Sequence, residues 1–343
     1  ISAPGTEPVC QICSGSLVFI DLVQPDGFRT KYRSGDFDDT EDVSPSMTYT
    51  ALAAEGSGDS ASRVGSLSAA VLPQVELMTI NDNNGRQFEL NRQTDGSLVC
   101  ADPDLYSEPL ADFFSTGTPA GEVSLGDVRK TDVLTLLLEG APLAEGVVAT
   151  NGVACPAGLP ALTSFSQILR RAAHTFLDID ESELVVGLQP TKVGETMTHR
   201  IFVADRLDNG AGFAVELGQP ENLSRLLEGV HKDMATRLAK GEHSDRCTSS
   251  CPSCLRSYDN RFVHWALDWR LALDVVGLAL GEAPDGDRWR TAAIATAESV
   301  ADGFRPYVAT SMEDVDGWPL LVMEERRVGV FVGHPLWQRV EKH

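Results

Sequence analysis

"HSDRCTSSCPSCLRSYDNRFVHWALDWRLALDVV", residues 243–276, holds three of the chain's seven cysteines within eight positions, beside a histidine and ahead of a long apolar stretch. Thiolates bind Zn²⁺ in tetrahedral sets of four, at about 2.3 Å. The C-x2-C turn aims Cys251 and Cys254 at one ion, and Cys247 adds a third sulfur from one turn earlier. For the fourth ligand the sequence offers several candidates. His243 lies four residues before Cys247; Asp245 is nearer but a poorer partner for a thiolate-rich site; Cys10 or Cys13 could fold over. Three isolated, buried packing cysteines are the competing explanation, which the crowding disfavours. The expected metal is structural, because a catalytic zinc keeps an open position and usually brings His-rich ligands with a carboxylate base.

The knuckle sits between two expected helices. "PENLSRLLEGVHKDMATRLAKG" (220–241) reads as one, starting at Pro and stopping at Lys-Gly. A second is expected from about Asp259 to Leu280, with His264 and Asp268 four apart on one face. Upstream, "ALTSFSQILRRAAHTFLDID" (161–180) has helical spacing through Leu162, Phe165, Ile168, Leu169 and Phe176. "SELVVGLQP" and "THRIFVADRL" read as strands, followed by the small-residue turn "DNGAGF". Beyond the knuckle come a helix over "DRWRTAAIATAESVADGF" and a β-hairpin over "WPLLVMEERRVGVFVG".

The first half has a different character. "CQICSG" (10–15) is half of a zinc ribbon. Its other pair either precedes Ile1 or is supplied by the lone Cys100 and Cys155. "SLVFIDLVQP" reads as a strand, and "RSGDFDDTEDVSPS" as an acidic surface loop. "SRVGSLSAAVLPQVELMTI" reads as two strands broken at Pro73, and "RQFELNR" as the strand returning across the "NDNNG" turn. "DVLTLLLEG" is a further strand. The chain thus reads as a multi-part α+β protein. Residues 1–30 are a half ribbon and lead strand, 31–155 an acidic β-rich module, 156–281 an α/β zinc-binding domain, and 282–343 the start of another α/β segment.

Bulk properties narrow the function. The 343 residues carry a net charge of −22, which counts against nucleic-acid binding as the whole task. Residues 1–160 hold 8 Lys and Arg against 23 Asp and Glu, whereas 161–281 hold 13 against 16. The acidity therefore belongs to the first half, and a local basic face remains open near the knuckle. Arg256, Arg261 and Arg270 are candidate nucleic-acid contacts there, with Tyr258, Trp265 and Trp269 as aromatic neighbours or core. No apolar run is long enough to span a membrane. Clustered cysteines in a large chain favour metal in a reducing compartment, so a cytoplasmic location is expected. The start lacks both an initiator methionine and a signal-peptide core, and the end stops just after an apparent strand. The chain reads as a piece of something longer.

Several catalytic readings fail on spacing. There is no G-x4-G-K-[ST] loop to cradle ATP phosphates. His231 and Lys232 are adjacent, so "HKD" lacks the His-x-Lys of a phospholipase-D nuclease. Asp316, Glu324 and Glu325 have the acids of a Mg²⁺ nuclease but "EERR" lacks its lysine.

"DNGAGF", a helix, and then "CTSSCPSCLRSYDNRFVHWALDWRLAL" together resemble the zinc-binding domain called DUF1998 or MZB. That domain is found at the end of certain superfamily 2 DNA helicases, in mitomycin repair and in antiphage systems such as DISARM and Druantia. The upstream "CQICSG" and "QPDGFRT" resemble the ribbon and strand that often precede it. The likeness covers about residues 8–30 and 160–281. Family members often read C-x-C-x3-C-x2-C, and Asp245 stands here at the first of those positions. The resemblance implies zinc on Cys247, Cys251 and Cys254, and a role beside helicase motor domains, in cis or in trans, in antiviral defence or DNA repair. A docking subunit without DNA contact and a metal-dependent nuclease segment remain as alternatives.

Overall fold

The computed structural model describes residues 9–10, 15, 17, 20–24, 48–52, 61–83, 85–101, 117–140, 156–323 and 326–337. Cys13, Cys155, Glu324, Glu325, residues 25–29 of the expected ribbon-side strand and the expected acidic loop at 33–46 lie outside them. The chain forms two compact units, residues 1–56 with 74–131 and residues 57–73 with 132–343.

The first unit is β-structure. Its elements are β1 (Leu22–Val23), β2 (Thr48–Leu52), the later part of β4 (Leu67–Asn81), β5 (Phe88–Arg92), β6 (Leu98–Cys100) and the earlier part of β7 (Thr118–Leu138). β2 pairs antiparallel with β4, setting Thr48 opposite Asn81. β1 runs parallel to β7, with Leu22 opposite Ser124. The turn after β4 uses left-handed Asn83 and Gly85, as its composition predicts. The strand after that turn does not return along β4, however. β5 pairs with β6 and with β7, Phe88 facing Val123. The 15-residue β4 also passes through Pro73, where a break was expected. A left-handed φ of 53° at Gln74 accommodates the chain there.

The second unit carries the large core. A short hairpin joins β3 (Ser62–Val64) to β4 at Gly65 and Ser66. Only glycine fits position 65: its φ is +58°, and a Cβ would lie 2.0 Å from the Ala279 carbonyl oxygen. β8 (Leu184–Val193) and β9 (Thr196–Asp205) form a ten-residue antiparallel pair. β9 also pairs with the end of β7, Val133 facing Ala204, so the strand order is β3-β4-β7-β9-β8.

α1 (Gly158–Leu177) packs on this sheet and on α6 (Trp269–Leu280). Phe165, Ile168 and Leu169 of α1 are buried with Ala272, Val275 and Val276 of α6. α6 is buried on nearly every side, which suits its WRLALDVVGLAL sequence. Between α1 and α6 in the chain lie α2 (Phe213–Leu217), α3 (Pro220–Gly229), a π-turn (Val230–Met234), α4 (Ala235–Ala239) and α5 (Glu242–Arg246). α3, the π-turn and α4 are consecutive, so the helix expected from 220 to 241 forms with one widened turn.

The "DNGAGF" turn has a local purpose. The Asp205 carboxylate accepts hydrogen bonds from the N–H groups of Ala211, Gly212, Phe213 and Ala214, at 2.7–3.1 Å. These groups open α2, so the acid neutralises the donors of a helix start.

The expected helix over 259–280 is two pieces. Arg261–Ala266 is a 3-10 helix, and α6 begins only at Trp269, with extended Asp268 as its N-cap. Asp268 accepts from Arg270 N–H at 2.8 Å. Ser164 of α1 enforces the break: its hydroxyl accepts from Asp268 N–H at 2.9 Å and donates to the Ala266 carbonyl at 3.3 Å.

After α6 the chain forms α7 (Asp287–Phe304) and a three-stranded antiparallel sheet, β10 (Ser311–Val315), β11 (Trp318–Met323) and β12 (Val328–Phe331). The β11–β12 hairpin matches the sequence reading; β10 adds a strand to it. A buried carboxylate ties this part to α6. Asp274 receives Arg288 Nη1 at 2.8 Å, Trp289 Nε1 at 2.7 Å, His334 Nε2 at 3.1 Å and Asp285 N–H at 3.3 Å.

Candidate metal centre

The knuckle is built from two helix ends and a tight turn. Gly241, with φ 70°, redirects the chain from α4 into α5. α5 carries His243, and Cys247 closes it by donating its N–H to the His243 carbonyl at 2.8 Å. Cys-Pro-Ser-Cys then folds around one acceptor. The Cys251 carbonyl takes the N–H groups of Cys254, Leu255 and Arg256 at 3.0–3.1 Å. Cys251 N–H in turn points at Cys254 Sγ, 3.0 Å away.

His243, Cys247, Cys251 and Cys254 bring their ligand atoms within 4.8 Å of one another. Cys247 Sγ and Cys254 Sγ are 3.9 Å apart. A tetrahedral ion with bonds of about 2.3 Å sets its sulfurs roughly 3.8 Å apart, so the spacing fits zinc. His243 Nδ1 lies 2.8 Å from the Leu238 carbonyl oxygen and must donate to it. That leaves Nε2 as the lone-pair nitrogen. Nε2 is buried and has no hydrogen-bond partner among the described residues. A metal-ligating histidine is typically held in this way by its second nitrogen. Such an unpaired buried acceptor costs free energy unless an ion takes it.

The thiols differ in acidity. Burial, with the neighbouring Cys254, pushes Cys247 up to about 12, and burial also raises Cys254. Burial works against Cys251 as well, but the Ser253 N–H and the neighbouring Cys247 and Cys254 thiols outweigh it and bring this thiol to about 7. A divalent cation would favour ionisation of all three thiols.

Packing makes the site rigid. The Trp269 ring meets His243 edge-on, centroids 5.6 Å apart, and its Nε1 donates to the Cys247 carbonyl at 3.3 Å. Trp269 N–H donates to Ser249 O at 2.9 Å. Arg270 reaches the Thr248 carbonyl and pairs with Asp268 at 2.7 Å. On the other side, Asn260 is buried. Its Nδ2 donates to Gln167 Oε1 of α1 at 2.9 Å and to Leu255 O at 2.8 Å, and its Oδ1 accepts from Ser257 N–H. The "LRSYDN" continuation is thus the strap between knuckle and α1. Sequence reasoning missed Ser164, Gln167 and Asp205; their partners lie on other elements or across a turn, and the acid that stands directly before Asn-Gly-Ala-Gly is Asp208, three residues after Asp205.

Four of the expected metal residues converge, then, with His243 in the fourth place. Asp245 is exposed and outside the cluster. Among the described residues Cys10 is not part of this group either; its N–H donates to Gly15 O at 2.8 Å. Of the three arginines, Arg256 donates to Ser250 Oγ at 2.9 Å. Arg261 lies over the Tyr258 and Phe262 rings. Arg270 is matched by Asp268 and lies over Trp289, 4.5 Å from its centroid. His264 and Asp268 do not share a helix face, because the chain breaks between them. His264 Nε2 instead faces Asn260 Oδ1 and Ser257 O.

A knuckle of one histidine and three cysteines, strapped to a buried helix and a sheet, defines a small zinc-binding domain, and zinc is its cofactor. Residues 165–255, a span that includes all four donors, match the family model of the MrfA Zn-binding domain, MZB. No curated protein matches the chain. Two solved structures of the DUF1998 helicase MrfA are similar to it. The one bound to DNA has 13% identity and a TM-score of 0.36, covering 68% of this chain and 25% of that one. The one bound to DNA and AMPPNP has 14% identity and a TM-score of 0.27, covering 58% and 22%. The chain thus spans about a quarter of the length of those helicases. Among the described residues no helix is long and apolar enough to cross a membrane.

Proposed function

We propose that this chain is a noncatalytic, zinc-stabilised accessory region of an ATP-dependent DNA helicase or helicase complex, with zinc held by His243, Cys247, Cys251 and Cys254. The observation that carries the reading is the buried, unpartnered His243 Nε2 among three cysteine sulfurs. The MZB match supports the association with a helicase. Under this reading 156–281 is the zinc domain, 1–30 a half ribbon with Cys10 and Cys13, 31–155 an acidic β-rich module and 282–343 a further α/β segment. Zinc, when bound, supplies no chemistry beyond holding its ligands. Its task is to fix α5 and the knuckle against α6. That corner would brace motor domains in cis or in trans, or guide a DNA strand past Arg256, Arg261 and Arg270. Arg270, already matched by Asp268, contributes least. The resemblance of the knuckle to defence and repair proteins supports a role in antiphage defence or DNA repair, and its clustered cysteines support a cytoplasmic location.

The test is metal content with stability. Natively prepared chain should contain at least one tightly bound zinc by elemental analysis. Cys251→Ser should unfold the 156–281 domain, because structural zinc binding is folding free energy. A soluble, fully folded Cys251→Ser chain, or a metal-free folded parent, would refute the reading. Salt-dependent DNA binding by the parent favours strand guidance, and a flat response favours docking alone.

A further inference from the structure

We propose that Tyr258, Arg261, Phe262 and Trp265 form a base-stacking site for single-stranded nucleic acid beside the knuckle; this rests on the helicase-accessory reading and deepens it. Tyr258 and Trp265 are each 78% exposed, while Asn260, Ala266 and Leu267 between and beside them are buried. The rings are not on a loose loop. Asn260 ties the segment to Gln167, and Ser164 holds its far end through Ala266 and Asp268. The scaffold therefore holds two large aromatic rings out in water.

Their arrangement forms one surface. In a 3-10 helix, side chains three apart eclipse, which puts Phe262 and Trp265 in one row. The Arg261 guanidinium bridges that row to Tyr258, lying 4.4 Å from the Tyr258 centroid and 4.3 Å from that of Phe262. Among the described residues Arg261 forms no ion pair, so its charge is open to an anion on a chain of net charge −22. Flat rings with an unneutralised, ring-stacked guanidinium complement an unstacked base and its phosphate. A duplex hides the faces of its bases, so single strands are the fitting ligand. DNA and RNA share this chemistry.

The experiment uses the zinc-loaded full chain and fluorescein-labelled oligo(dT) of about 15 nucleotides, a length within the usual site sizes for such surfaces. Oligo(U) and a DNA duplex of equal length run in parallel, read by anisotropy. Tyr258→Ala and Trp265→Ala should each weaken oligo(dT) binding roughly 5- to 100-fold, and Trp265→Phe should stay within a few-fold of the parent. Arg261→Gln should weaken binding and reduce the log–log salt slope by about 0.7. The duplex should bind more weakly than either single strand, and whichever oligomer binds tighter names the natural strand. Both exposed rings can be removed without opening the core, so zinc content and Tm should match the parent. Folded, zinc-replete alanine variants that bind oligo(dT) like the parent overturn the proposal. So does a parent that binds no oligonucleotide, or variants that lose only a protein partner. In those cases zinc content and the Cys251→Ser unfolding test still decide the accessory-region reading separately.

Discussion

His243→Ala tests the least conventional part of the metal centre. Structural zinc in small domains is worth roughly 10–16 kcal/mol at neutral pH. An equal share for one of four ligands is about 3–4 kcal/mol. The three sulfurs remain, and the Cys251–Cys254 turn is held by its own backbone bonds. The expected loss is therefore a roughly 100- to 1,000-fold weaker zinc affinity, at about 1.4 kcal/mol per tenfold. The edge contact with Trp269 is lost too, so Tm should fall even at saturating zinc. The assay is competition against a chelator of known affinity, monitored by zinc release, with thermal unfolding alongside. Asp245→Ala is the control: Asp245 is exposed and outside the cluster, so its removal should leave affinity unchanged. Unchanged affinity in His243→Ala would refute the assignment and move the fourth ligand elsewhere. A selective loss in Asp245→Ala would place the ligand at the position where related domains carry cysteine.

Asp274→Asn should destabilise the second unit by about 1–3 kcal/mol, because Arg288 keeps only the more exposed Asp285 as counter-charge and an amide turns toward donors; chemical denaturation measures this, and a loss under about 0.5 kcal/mol would contradict it. His199 makes acid stability a second check. Burial lowers its pKa, so the folded state keeps it neutral. The unfolded chain takes the proton first as pH drops below about 6.5, so stability is lost from there down through the folded value and is unaffected above. Urea midpoints at pH 7.5 and 5.5 should differ less in His199→Gln than in the parent.

Much of the second unit can be read from its letters. α1, β8, β9 and α7 follow their periodicities, and the sulfur spacing alone singles out the knuckle. What the letters hide is long-range. The break before α6 depends on Ser164, about a hundred residues away, whose hydroxyl caps both sides of it. Trp265 and Trp269, four apart, would face one way on an unbroken helix; the break leaves one exposed and buries the other against His243. β10 escaped notice because all five of its residues are exposed, so no alternation marks it. The pairing of β5 with β7 instead of β4 is a matter of topology, on which a local turn signal is silent.

The loop after β9 invites misreading. Glycines leading into a helix are the usual dress of a phosphate cradle, yet here the cradle arrives already filled. Asp205 supplies from within the chain the anion that a nucleotide would bring from outside, so ATP should find no seat at this point of the fold. Replacing that one buried acid by a neutral residue would leave four backbone donors without their acceptor.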